Sequence, residues 1–99
     1  MTLGRWRWRI VRICGESMVP RLRPGSFALF RPARTLTSGD TVLVEHPRYG
    51  RIVKSVRAIA NGEVWLEGLS PHSTAADRLG SVPSQAVLGR LAFQVPPPG

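Results

Sequence analysis

The apolar side chains of this sequence recur at every second position in short runs, and turn-forming residues separate the runs. The alternation is clearest at residues 5–10, and the segment 41–45 is rich in β-branched residues. Asn61-Gly62 favours a tight hairpin between the strand at 51–57 and the strand at 63–67. A period of two places successive side chains on opposite faces of a strand, whereas a helix repeats every 3.6 residues. The pattern therefore predicts an all-β fold.

Further strands are expected at both ends of the chain and after the first turn, at residues 26–30 and 88–95. Near the start, Trp6, Trp8 and Ile10 alternate with arginines, which predicts a half-buried strand with a basic outer face. Residues 68–83 are rich in Gly, Ser and Pro and are expected to form one long loop, followed by a helical turn up to Leu88.

A chain of 99 residues makes about one domain with a single small core. We expect residues 1–95 to form one β domain of short, mostly antiparallel strands in a coiled sheet or partial barrel, and residues 96–99 to be a flexible Pro-rich tail. At this length we expect no separate cofactor domain.

The charge balance is strongly basic, with 14 Lys and Arg against 6 Asp and Glu and a net charge of +8. All the basic residues except Lys54 are arginines. No run approaches the roughly 20 apolar residues of a membrane helix, and no apolar segment follows the basic N-terminus as in a signal peptide. We expect a soluble, cytoplasmic protein that contacts neither membrane nor nucleic acid, although the Arg/Trp start has the residue types for both.

A nucleophile is suggested by the segment Gly15-Glu16-Ser17-Met18-Val19-Pro20. Gly15 permits a tight bend, and Pro20 restricts the residue before it, so Ser17 lies where the chain must turn. A serine at such a bend can project its hydroxyl into a cleft beside unpaired N–H groups, as a nucleophile with an oxyanion hole requires. An ordinary turn serine is the alternative. Cys14 is a rival nucleophile, but its apolar strand end predicts a buried, inert thiol.

A general base is suggested by Lys54, the only lysine in the chain. Strand alternation places it on one face with Ile52 and Val56. A desolvated lysine can lose its proton near neutral pH, whereas an arginine cannot. Such an amine next to a serine hydroxyl serves as a general base. The alternative is a lysine whose ammonium reaches the sheet edge and stays solvated.

The remaining polar residues do not form a site by spacing. His46 precedes Pro47 in a turn and His72 follows Pro71 in the long loop, so both are expected to be surface turn residues. One cysteine and two distant histidines do not supply a metal site. We therefore expect no metal and no organic cofactor.

Three segments together resemble a known family. Gly15-Glu16-Ser17-Met18-Val19-Pro20-Arg21-Leu22 is similar to the nucleophile box of the serine–lysine peptidases, which include bacterial signal peptidase I and the self-cleaving SOS-type repressors. Gly39-Asp40-Thr41-Val42-Leu43-Val44 resembles their following strand, and Arg51-Ile52-Val53-Lys54-Ser55-Val56 resembles the box that carries the general-base lysine. The resemblance implies their β fold and a Ser17–Lys54 catalytic dyad, with the backbone N–H of Ser17 in the oxyanion hole.

Within that superfamily, the chain most resembles the nickel-type superoxide dismutase maturation proteases, through its length, its Gly68-Leu69-Ser70-Pro71-His72-Ser73-Thr74 loop and its closing Val87-Leu88-Gly89-Arg90. In relatives, a Ser-Thr-Asp-Ser-Arg segment in this loop supports the lysine. Here Ala75 and Ala76 replace the Asp-Ser pair, which leaves Ser73 or Thr74 as substitutes for orienting Lys54.

The resemblance implies a serine endopeptidase acting on a protein or peptide substrate, such as the precursor of a nickel superoxide dismutase. Two alternatives stay open at this point. One is a non-catalytic Arg-rich β module that binds a protein or an anionic partner. The other is a detached signal-peptidase catalytic domain that works near a membrane through its basic first strand.

Overall fold

The computed structural model describes residues 7–71 and 75–98. Its strands form one antiparallel seven-stranded sheet in the order β1-β2-β7-β3-β4-β5-β6. The predicted all-β fold is thereby confirmed. The elements are β1 (Arg9–Arg12), β2 (Phe27–Arg31), β3 (Thr41–His46), β4 (Gly50–Ala60), β5 (Glu63–Glu67), α1 (Ala76–Leu79), β6 (Ser81–Pro83), a 3₁₀ turn (Ser84–Ala86) and β7 (Val87–Val95).

The sheet coils so that side chains on both faces of its central strand are buried. In β3, Val42 and Val44 belong to one apolar cluster, whereas Leu43 belongs to a second cluster on the other side. All three are fully buried. Because adjacent β3 residues belong to the two apolar clusters in turn, β3 lies between these clusters and packs against both.

The hairpin between β4 and β5 forms where the sequence predicts it. Asn61 and Gly62 both have positive φ, 52° and 77°, which a two-residue turn of this kind requires and which Asn and Gly tolerate best. Val64 and Leu66 of β5 are buried on one face.

The prediction that the apolar even-numbered side chains of the first strand face inward is wrong. Ile10 is 74% exposed and Trp8 56% exposed, whereas Arg9 is only 9% exposed. The parity is set by Ile13, which lies in the second cluster and so turns the odd-numbered residues inward. Ile10 lies instead beside Phe27 and Phe93 on the outside of the sheet.

The prediction of one long loop at residues 68–83 is also wrong in part. This segment contains the short helix α1 and the strand β6, in which Val82 is buried and pairs with Val64. The sequence does not predict β6 because it is only three residues long and is surrounded by turn-forming residues. Its stability comes from pairing with β5 rather than from its own composition. The helical turn expected after it is present as the 3₁₀ turn.

His46 is a structural residue, not the exposed turn residue that the sequence predicts. It is 6% exposed, and its Nε2 lies 2.8 Å from the carbonyl oxygen of Leu79. Its Nδ1 accepts hydrogen bonds from the N–H groups of Arg48 and Tyr49 at 3.0 and 3.3 Å. Since a carbonyl only accepts, Nε2 carries the proton, and the ring links the β3–β4 turn to α1.

No helix among the described residues is long and apolar enough to cross a membrane.

Replacing His46 by alanine should destabilise the fold by about 2–3 kcal/mol, because the Leu79 carbonyl and the turn N–H groups lose their partner in a buried place. Urea unfolding measures the change. A matched substitution at exposed Arg48 that leaves its backbone intact, Arg48→Gln, should change stability by less than about 0.5 kcal/mol. Equal stabilities for the two variants would contradict the structural role of His46.

Candidate active site

Ser17 lies in a turn that the core holds in place. Gly15, with φ of 78°, reverses the chain after β1 in a conformation that other residues rarely adopt. The turn closes through Leu22 N–H, which donates to the carbonyl of Met18 at 2.9 Å. The side chains of Met18 and Leu22 are 2% and 0% exposed. Because Met18, the residue directly after Ser17, is anchored in the core, Ser17 is held half-buried at a fixed point on the surface.

The backbone of Ser17 is held from its carbonyl side. The N–H groups of Leu69 and Ser70 both donate to the Ser17 carbonyl, at 2.7 and 2.9 Å. The N–H of Ser17 has no acceptor among the described residues. A fixed carbonyl and an unengaged N–H at one residue leave that N–H able to donate to a bound group.

Arg21 ties the same turn to the centre of the sheet. Its Nη1 donates to the carbonyl of Gly39 at 3.0 Å and to Oγ1 of Thr41 at 2.8 Å. Thr41 pairs in register with Ser55, the residue after Lys54. Arg21 thus connects the turn of Ser17 with the strands that carry Lys54. Sequence reasoning missed this role, and the only available signal was an arginine inside the turn Pro20-Arg21-Leu22.

Lys54 lies on the inner side of β4, as the strand alternation predicts. It is 6% exposed and pairs in register with the fully buried Val42. Within the described part of the chain its ammonium makes no hydrogen bond and no ion pair. Desolvation by burial lowers the pKa of Lys54 below its ordinary value of 10.5.

Ser17 and Lys54 line the same cavity, which has a volume of about 450 Å³. One wall is the end of β1 and the turn that follows, and the other is the first half of β4. Its lining residues are Val11, Arg12, Ile13, Cys14, Gly15, Glu16, Ser17, Met18, Arg51, Ile52, Val53 and Lys54. The fold therefore brings together two segments that lie more than thirty positions apart in the sequence.

The predicted burial of Cys14 is wrong, because this residue is exposed and lines the cavity. Strand β1 ends at Arg12, and Ile13 takes the inward position, which leaves Cys14 pointing out. Its thiol lies 4.0 Å from the carbonyl oxygen of Arg12. Cys14 is therefore a second nucleophile type in the same cavity and has to be distinguished from Ser17 by experiment.

The residues proposed to orient Lys54, Ser73 and Thr74, lie outside the described residues, as does His72. The described part of the same loop contributes Leu69 and the 7% exposed Ser70, both next to Ser17 through their N–H groups. No group of three His, Cys, Asp or Glu side chains that could hold a metal ion occurs among the described residues.

Comparison with known proteins gives one result at the level of the family. The model of the family described as Peptidase S24-like matches residues 7–90, which include the turn of Ser17, strand β4 and most of the sheet. No match to a curated protein was found. Since the matched segment covers far more than half of the chain, the protein belongs to the Peptidase S24-like family.

Proposed function

We propose that the protein is a serine endopeptidase in which Ser17 is the nucleophile and Lys54 the general base. The observation that carries the proposal is the shared cavity, in which a half-buried serine and a desolvated lysine form parts of one lining. The membership in a family of peptidases agrees with this chemistry.

The lowered pKa of Lys54 gives the amine its role. In its neutral form the Nζ atom takes the proton of the Ser17 hydroxyl while the Ser17 oxygen attacks the carbonyl carbon of the substrate. The carbonyl oxygen becomes negatively charged in this step and accepts a hydrogen bond from the Ser17 N–H. In this scheme Lys54 is the only ionisable side chain that takes part in forming the tetrahedral intermediate.

The same amine completes the cycle. Protonated Lys54 donates its proton to the leaving nitrogen as the peptide bond breaks, which leaves an ester between Ser17 and the new carboxyl end. Lys54, neutral again, takes a proton from the water that attacks this ester. Ser17 regains its proton when the product acid leaves.

The strands around the cavity favour an extended peptide as substrate. Strand β1 is at the edge of the sheet, and residues 50–54 of β4 pair with β3 but not with β5, whose pairing begins at Ser55. Two strand segments with unpaired backbone groups therefore border one cavity. A peptide in extended conformation can satisfy such groups by adding a strand.

We further propose the N-terminal extension of a nickel-type superoxide dismutase precursor as the physiological substrate. Its support is the resemblance of the 68–74 loop and of residues 87–90 to the maturation proteases. Incubation with the precursor and N-terminal sequencing of the product tests it. A single cut that removes the extension supports this substrate, whereas an intact precursor beside an active enzyme contradicts it.

An acylating probe tests the nucleophile without knowledge of the substrate. Incubation with a penem or a fluorophosphonate should add one probe mass to the parent protein, detected by intact-mass spectrometry. Ser17→Ala should abolish the adduct and lower any peptidase activity by about 10³-fold or more. The free energy of unfolding of this variant should stay within about 1 kcal/mol of the parent value, because replacing a turn serine by alanine removes about one hydrogen bond at most.

Two matched variants separate Ser17 from its neighbours. Ser38 is exposed and lies outside the cavity, so Ser38→Ala should be acylated like the parent. Cys14→Ser should also react normally if Ser17 is the nucleophile. An adduct that persists in Ser17→Ala and disappears in Cys14→Ser would assign the reaction to the thiol, and no adduct in any variant would favour the non-catalytic binding module.

The general-base role predicts a pH dependence. Acylation of Ser17 should accelerate as the pH rises through the lowered pKa of Lys54, because only the neutral amine accepts the serine proton. Lys54→Arg keeps the charge but cannot deprotonate, so it should be slower by about 10²-fold or more. The measurement is the acylation rate between neutral pH and pH 10, with circular dichroism as the check of folding. A folded Lys54→Arg variant with the parental rate and pH profile would exclude the dyad.

Burial of the lysine predicts a gain in stability when the charge is removed. Lys54→Met should be inactive, yet at least as stable as the parent at neutral pH, because it fills the same space without a desolvated ammonium. Since the pKa is lower in the folded state, the unfolded chain binds the proton more tightly, and the parent becomes more stable as the pH rises toward 10.5. Urea unfolding of both proteins should show their difference shrinking over that range. A Met variant that is less stable at every pH would indicate a well-solvated lysine.

A further inference from the structure

A second cavity continues the active-site cavity along β1. It has a volume of about 360 Å³ and is lined by residues 7–11 together with Arg51. Val11 and Arg51 line both cavities. The two cavities therefore adjoin, and together they are here called the basic groove, whose lining runs from Ser17 past Arg51 to the start of β1.

The charge along this groove is one-sided. Arg7, Arg12 and Arg51 are exposed residues of its lining, and Glu16 is the one acidic residue among the described residues that line it. Arg9 adds a further positive charge from a nearly buried position, where it interacts within the protein. Lys54 is neutral in the proposed active form, so the arginines alone set the sign of the field that a bound peptide meets.

The ion pair of Arg51 with Glu45 leaves Arg51 available to a bound peptide. Its Nη2 contacts Oε1 of Glu45 at 3.3 Å, and both side chains are about half exposed, with 50% and 53% of their surface in solvent. Such an exposed pair is weak. A guanidinium has five N–H donors, and a carboxylate on a bound peptide can engage those that Glu45 does not use.

We propose that the basic groove selects extended peptides that carry acidic residues next to the cleaved bond. The inference rests on the proposed peptidase function and adds the substrate class to it. Backbone pairing with the unpaired strand edges is indifferent to sequence, so the arginines supply the selectivity. A peptide with Glu or Asp beside the reacting bond is favoured, and one with Lys or Arg there is rejected by like charge.

A binding measurement tests the proposal independently of catalysis. The Ser17→Ala protein is titrated into labelled peptides of one Val/Thr/Ala scaffold that carries Glu, Gln or Lys at the same positions, and the fluorescence anisotropy is recorded. At low ionic strength the Glu peptide should bind at least about threefold more tightly than the Gln peptide, and the Lys peptide most weakly. The difference should shrink when salt is added.

A pair of double variants separates the groove from the overall charge of the protein. Arg7→Gln with Arg51→Gln removes two charges from the groove, and Arg23→Gln with Arg57→Gln removes two exposed charges elsewhere. Both have the same net charge. The first should lose most of the preference for Glu over Gln, and the second should keep it. Equal binding of the Glu and Gln peptides, or an equal loss in both double variants, would overturn the proposal.

The acylation of Ser17 distinguishes this inference from the function on which it rests. A protein that is acylated at Ser17 but binds Glu and Gln peptides equally is a peptidase without the proposed selectivity. One that prefers the Glu peptide through Arg7 and Arg51 but is never acylated retains the acidic-peptide groove without the catalytic step.

Discussion

The proposed chemistry depends on the ammonium group of Lys54, which the fold withdraws from water and which has no hydrogen-bond or ion-pair partner among the described residues. Lys54 is 6% exposed, and no carboxylate among the described residues neutralises it. Burial of an uncompensated charge costs stability, and the lysine reduces this cost by giving up its proton at lower pH. A side chain that is unfavourable for folding in its charged form is therefore available as a base in its neutral form.

Backbone contacts and core anchors hold Ser17 in the cavity that Lys54 also lines. Met18 and Leu22 fix the turn of Ser17 in the second apolar cluster, and Arg21 links this turn to the start of β3. The Ser17 carbonyl is occupied by the N–H groups of Leu69 and Ser70. Each of these contacts orients the serine without involving its hydroxyl. The geometry of the site is thus a consequence of core packing and strand register, and a loss of packing at Met18 would displace Ser17.

Periodicity predicted the strands well and the faces of edge strands poorly. The β4–β5 hairpin was predicted correctly because Asn61-Gly62 determines its turn, and the turn fixes the register of the two strands. The first strand has apolar residues of both parities, and only the anchoring of Ile13 in the core decides which of them turn inward. Alternation alone does not carry that information, because a strand with apolar residues on both faces can turn either face to the core.

Long-range pairing explains the other differences. Strand β6 exists because Val82 meets Val64, and His46 is buried because α1 brings the carbonyl of Leu79 to its ring. Neither contact has a local signal in the sequence. The role of Arg21 is similar, since its partners Gly39 and Thr41 lie about twenty positions away. Lys54 could be selected in advance because its inner face follows from its own neighbours in β4.

The proposed dyad requires a neutral Lys54 at the pH at which Ser17 reacts, and the titration of this side chain shows whether that condition is met. Since it is the only lysine of the chain, lysine labelled with ¹³C at Cε gives a single side-chain resonance to follow by NMR. We expect a titration midpoint in the folded protein clearly below 10.5, and a return to the ordinary value when the protein is unfolded in urea. A midpoint at or above 10.5 in the folded protein would contradict the proposed dyad.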